Sequence, residues 1–242
     1  IYVRGAIGEY WILMFWPLIF YAVAQGSNRV TYRNILIGAV GISGAVLSHT
    51  LLGFVTVFFL GIGFLVYWLI RALHRKFDLP GFTFHISTMV LGLGMSAFFW
   101  LPAVWEMGST GVAGQVSETA NYRDHFVCMS QLWTSLWGYG GSASGCLDGM
   151  SYMIGKLHIV VSLLSLLWWV SRKTKKGLSV VVAGVLTTVI SIFFMIGPSR
   201  AAWEIIPGFA YLQYPWRFLA LAGFGVSLLG GVGISTLSGV VN

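Results

Sequence analysis

The chain has 242 residues, of which 57% are hydrophobic and only 9% charged, against roughly 25% charged in a soluble domain. Its net charge of +7 comes from short clusters between apolar runs, the pattern of loops at a membrane, so it is no sign of a nucleic-acid partner. A soluble helical bundle is excluded too, because its helices need a polar outer face at helical period and these segments are apolar all round.

In chain order, Ile1 stands in mid-motif with neither an initiating Met nor a signal peptide. A fragment is therefore expected, with earlier spans upstream. Arg4 and Glu9 stand at the mouth of a first span expected over 7–24, with Pro17 as a kink. Residues 25–33 (QGSNRVTYR) form a polar turn. Residues 34–70 carry no charge apart from His49; one helix of that length would be about 55 Å long. Two spans are therefore expected, reversing at Ser48-His49-Thr50. The basic loop 71–80 (RALHRKFDLP) leads to a fourth span over 84–104, which closes on FFWLPAVWE with tryptophans and a proline at interface depth. Further spans are expected over 154–170, 178–197 and 215–237, with a polar loop at 198–214.

The long stretch 105–153 is the one a membrane would reject. It holds Glu106, Glu118, Asp124, Asp148 and both cysteines. Within it Phe126, Met129, Trp133 and Trp137 stand at i, i+3, i+7 and i+11, which predicts a helix lying in the membrane interface. The following GYGGSASG is too glycine-rich for a helix and reads as a mobile hinge, which makes the stretch a lid.

Loops 25–33, 71–80 and 171–177 carry two, three and four Lys/Arg and one acid, Asp78. The opposite side carries five Lys/Arg (Arg4, Arg123, Lys156, Arg200, Arg217) and six acids. The bias puts the first three loops in the cytoplasm, and the N-terminus and the loops 105–153 and 198–214 outside. The expected fold is all-α: a polytopic transmembrane helical bundle of about seven spans, one transmembrane domain over 1–242. Its membrane is expected to be the bacterial inner membrane, with membrane lipids as its surroundings.

Cys128 and Cys146 fall on the outer side, where an oxidising compartment permits a bridge contributing about 3 kcal/mol. Two unpaired thiols are the other reading. Gly223, Gly225, Gly230, Gly231 and Gly233 give the last span a small-residue face that suits close packing on a neighbouring span.

No GxxxxGK[ST], HExxH, CxxC or GxSxG is present. The histidines are scattered, so no protein-held metal or other cofactor is evident, though Mg²⁺ or Mn²⁺ on a carboxylate stays open. What remains is ionisable groups at the outer mouths of spans: Arg4, Glu9, His49, Glu106, Lys156, His158 and Arg217. Such groups either steady helix ends and snorkel, or hold an anionic headgroup for a carboxylate to act beside.

RGAIGE at 4–9, LSHT at 47–50, FFWLPAVWE at 98–106, the QLW…WGYG…DG…IGKLH stretch and LQYPWRFL at 212–219 carry a resemblance. They resemble the bacterial membrane proteins labelled "6-pyruvoyl-tetrahydropterin synthase-related", in the wider group of GT-C-like integral membrane glycosyltransferases. The label implies no pterin chemistry, and this chain has no histidine triad for zinc. The resemblance implies transfer of a sugar from a polyprenyl-phosphate donor at the exoplasmic face, toward envelope glycan or protein glycosylation. It also implies an acidic residue in a first exoplasmic loop, expected before Ile1, so no catalytic base is assigned here. Arg4, Glu9, His49, Glu106, Gln213 and Arg217 lie within the shared motifs and are the expected donor-phosphate or sugar ligands. Two other readings stand beside this one. A flippase for lipid-linked intermediates would place charges at mid-bilayer. An assembly subunit would dock through the glycine-rich last span.

Overall fold

The computed structural model describes residues 7–26, 29–114, 120–138, 140–172 and 177–237. These residues are helical or irregular, with no strand among them. Arg4, Glu118, Lys173, Lys175 and Lys176 lie outside the described residues. The chain divides into two compact units, 1–110 and 111–242.

The first unit comprises α1 (Ile7–Gly26), α2 (Tyr32–Ser48), α3 (Thr50–Leu73), α4 (Leu79–Met95) and α5 (Ala97–Trp105). Thr31 caps α2 by accepting the Asn34 amide, and Asp78 caps α4 by accepting the Gly81 amide at 2.7 Å. α1 runs on through Pro17. α2 sits centrally because its small residues admit its neighbours: a Cβ on Gly41 would come within 3.1 Å of the Ile19 backbone nitrogen of α1, and one on Gly92 of α4 would come within 3.0 Å of Ala39 O. Ile12, Ile19, Ala22, Ala39, Ile42 and Phe84 are buried there. Trp16 donates its indole N–H to Thr56 Oγ1 at 2.9 Å, so the polar tips in this core are paired.

The fourth expected span is not straight. α4 and α5 are bent by 74° at Ser96. The Ser96 hydroxyl donates back to Gly92 O at 3.1 Å, and the Trp100 indole donates to Leu93 O at 2.9 Å, so side chains take over carbonyls that a continuing helix would fill.

The second unit comprises a single turn α6 (Val112–Gly114), α7 (Lys156–Ser171), α8 (Leu178–Met195), a short α9 (Arg200–Ile205) and α10 (Leu219–Leu237). α10 packs on both α7 and α8 around Val181, Leu229 and Val232. Ser162 of α7 donates across to Val226 O at 2.8 Å.

Among the described residues four helical stretches are long and apolar enough to cross a membrane, Ile7–Gly26, Thr50–Leu73, Leu178–Met195 and Pro215–Thr236, and the bent pair makes five if it crosses as one. α2 and α7, with 17 and 16 residues, are shorter apolar helices. The architecture is that of an integral membrane protein, with four to five such spans against the seven expected.

The interfacial helix expected over 126–137 is absent. Its place is taken by one 3-10 turn, Met129–Leu132, in otherwise irregular chain. The period of Phe126, Met129, Trp133 and Trp137 is outweighed by tertiary ties. Gln131 and Leu132 turn inward, while Met129, Trp133, Leu136 and Trp137 stay exposed.

Candidate functional site

Two of the expected site residues meet in the first unit. His49 closes α2 and opens α3, and its Nδ1 accepts the Leu52 amide at 3.2 Å as a helix cap. The cap leaves Nε2 facing Glu9 of α1, 3.9 Å from Oε1. Gly8 makes this approach feasible, because any Cβ there would run into the Ser48 carbonyl oxygen. The pair is loose, so a helix-end brace accounts for it as well as a ligand site does. Glu106 caps the C-terminus of α5 and is exposed, with no ion pair among the described residues.

The denser constellation is in the second unit, around a disulfide. Cys128 and Cys146 are bonded, with Cα atoms 5.6 Å apart. The bridge brings together residues that flank it, His125 on one side and Asp148 on the other. Asp148 is buried and accepts from Gln131 Nε2 at 2.7 Å, Ala143 N at 2.8 Å, Tyr152 Oη at 3.0 Å and Ser142 Oγ at 3.3 Å. Gln131 in turn accepts the Cys128 amide at 2.8 Å, which fixes its amide orientation and the 3-10 turn.

From Asp148 a closed circuit of contacts runs through the site. Ser142 Oγ meets His125 Nδ1 at 2.9 Å, and the His125 ring meets Tyr214 edge-on with centroids 4.8 Å apart. Tyr214 stacks on Trp216 at 5.1 Å, Trp216 on Tyr152 at 6.3 Å, and Tyr152 returns to Asp148. Asp148, Tyr152 and Trp216 are buried, whereas His125, Tyr214, Gln213 and Arg217 form a half-buried edge.

That edge is built by LQYPWRFL. Gln213 takes φ 64°, a left-handed conformation that costs a non-glycine residue about 1–3 kcal/mol. The turn is held shut by Arg217, whose Nη1 donates to Leu212 O at 2.8 Å. The guanidinium carbon lies 5.3 Å from the centre of the Tyr214 ring and 6.0 Å from that of Trp216. A cation and two aromatic faces therefore share one corner at the foot of α10.

His125 and Asp148 were missed as site residues. The signal that could have found them is the cysteine pair, which a bridge would use to bring its flanks together. Asp148 itself is a strut: both of its oxygens already carry donors, so it is poorly placed to take a proton or hold an ion. Among the described residues no three His, Cys, Asp or Glu side chains gather as a metal site.

Burial lowers the His125 pKa, partly opposed by the charges of Asp124 and Asp148. A histidine whose folded pKa lies below its unfolded value contributes stability above about pH 6.5 that is lost as pH falls toward the folded value. Unfolding midpoints should therefore drop between pH 8 and pH 5, and His125→Gln should remove part of that slope. An unchanged slope in the variant would show that His125 is not the titrating group.

No family model, curated protein or solved structure matches the chain.

Proposed function

We propose that the chain belongs to a membrane glycosyltransferase that uses a polyprenyl-phosphate-linked sugar at the exoplasmic face, in the envelope-glycan or protein-glycosylation class. The observation that carries the reading is the Arg217 corner, a guanidinium set against the faces of Tyr214 and Trp216 on a half-buried edge. A planar cation suits a phosphate ester, and an aromatic face suits the C–H face of a sugar ring. In the transfer, the bond from the anomeric carbon to the phosphate oxygen breaks and one to the acceptor hydroxyl forms. Arg217 stabilises the charge left on the phosphate. The acceptor proton goes to a carboxylate base, the acidic residue that the resemblance implies in a first exoplasmic loop.

In this reading all seven apolar helices cross the bilayer of a bacterial inner membrane. The loops with nine Lys/Arg face the cytoplasm and the disulfide loop faces outward. Met129, Trp133, Leu136 and Trp137, exposed without a helix to carry them, rest at the bilayer surface. Lys156, 5.6 Å from the centre of the Trp133 ring, stands beside them at the start of α7.

The test is titration of the full-length protein in nanodiscs with a polyprenyl-phosphate-linked hexose, reading both binding and transfer. Arg217→Gln should weaken donor binding roughly tenfold to a hundredfold, the range of one charge-assisted contact. Its unfolding midpoint, followed in parallel, should fall with the loss of the bond to Leu212 O, so binding is read well below the variant's own midpoint. If the wild-type protein neither binds nor consumes any such donor, the reading fails. If it carries the donor across the bilayer without transferring sugar, the flippase reading replaces it.

A further inference from the structure

At the far end of α3 from His49 lies a second feature, confined to the first unit. His49 and Arg71 are separated by nearly the whole of α3, about 33 Å along its axis at 1.5 Å per residue. Around Arg71 a cavity of about 290 Å³ is lined by Gly26, Tyr67, Trp68, Asp78, Gly81 and His85 among others. A neighbouring cavity of about 260 Å³ is lined by Val23, Phe59, Leu60, Gly63 and Phe64, and shares Tyr67 and His85 with the first. The first is polar and charged, the second is apolar apart from His85, and the two abut.

The polar half is built rather than incidental. Asp78 Oδ1 caps α4 while its Oδ2 receives Arg71 Nη2 at 3.1 Å. The Arg71 guanidinium lies 5.6 Å from the Tyr67 ring centre and 5.7 Å from that of Trp68. The Trp68 indole donates to His85 Nδ1 at 3.1 Å, so that wall is held rigidly. Arg71 Nε is shielded from solvent yet donates to no acceptor among the described residues. The rest of the guanidinium is open, the side chain being 32% exposed, so an acceptor in the cavity can reach its outer N–H groups. The loop around it carries Arg71, Arg75 and Lys76 against Asp78 alone, so that acceptor is favoured to be anionic.

We propose that this paired cavity binds one anionic phospholipid from the leaflet beside the 71–80 loop. A phosphate oxygen of the headgroup accepts from the outer N–H groups of the Arg71 guanidinium, Arg75 and Lys76 add to the local positive field, and an acyl chain lies in the apolar half along Phe59, Gly63 and Phe64. The site is separate from the Arg217 corner and does not depend on the glycosyltransferase reading. Together the two cavities fall in the size range of small-molecule pockets, roughly 300–1,000 Å³.

Gly63 supplies a blocking variant. A Cβ there meets nothing within 4 Å, so Gly63→Leu enters the apolar cavity without clashing with the backbone. The experiment is native mass spectrometry and thermal shift on the detergent-purified chain, with added phosphatidylglycerol, phosphatidylcholine or inorganic phosphate. Wild type should retain one phosphatidylglycerol in preference to phosphatidylcholine and gain thermal stability from it. Arg71→Gln should weaken that retention roughly tenfold, as expected for loss of one charge-assisted donor. Gly63→Leu should abolish it with the lipid-free midpoint unchanged. Equal retention by all three proteins overturns the proposal. So does stabilisation by inorganic phosphate that Gly63→Leu leaves intact, which would make the cavity a free-anion site.

Discussion

Asp148→Ala should destabilise the second unit by about 3–5 kcal/mol, the range for breaking a buried hydrogen-bond network. The carboxylate is 5% exposed and receives four donors, three of them side chains. Its removal leaves the Tyr152 hydroxyl and the Ala143 amide without their acceptor. It also leaves Gln131 Nε2 only the longer bond to Cys146 O at 3.3 Å. Gln131 cannot compensate by flipping, because its carbonyl oxygen is committed to the Cys128 amide. Asp148→Asn keeps one acceptor but turns an amide N–H₂ toward a donor, so it should recover only part of the loss. The measurement is unfolding in mixed micelles with the disulfide intact, alongside limited proteolysis across 133–147. A change within 1 kcal/mol for Asp148→Ala would show that the network does not organise the loop.

The second large effect is at Gly225, and it carries its own control. A methyl there would stand 2.9 Å from both Gly184 O and Thr188 N, backbone atoms of α8 that have no side-chain freedom to yield. Overpacking of this kind typically costs about 1–3 kcal/mol, and contact with backbone on two sides puts Gly225→Ala at the upper end. Gly223, one residue removed from it, meets nothing within 4 Å. Gly223→Ala should therefore be neutral or stabilise α10 by up to about 1 kcal/mol through helix propensity. The pair can be compared by unfolding in graded detergent and by the yield of folded protein. Equal behaviour would mean that α8 and α10 do not approach as closely as the Gly184–Gly225 contact requires.

This split among the glycines shows what a single sequence carries and what it lacks. The small-residue face of α10 was visible as a pattern. Which of its members touch α8 or α7 was not, because that depends on helix rotation set by Val181, Leu229 and Val232. Most of the long helices were legible as apolar runs between polar loops, and the need for a corner near His49 followed from length, whereas the break at Ser96 was not foreseen. The 126–137 segment was misread for a definite reason. Helical period is a local signal, and here the long-range pull of Asp148 on Gln131 outweighed it. Within the site, Gln213 and Arg217 stood out by motif. His125, Asp148 and Tyr152 did not, because they become neighbours only through a cross-link and a stack that span dozens of residues.

The 74° bend at Ser96 sets the reach of the α4–α5 segment. Unbent, the 27 residues from Leu79 to Trp105 would make a rod of about 40 Å, some 10 Å longer than a typical hydrocarbon core. Bent, α4 contributes about 26 Å along its own axis and α5 only about 4 Å more, while extending roughly 13 Å sideways. The summed height of about 30 Å matches the core. If the bent pair crosses as one span with α4 upright, this apolar stretch ends level with the membrane surface, with Trp105 at its far tip, 86% exposed, where indole rings are favoured.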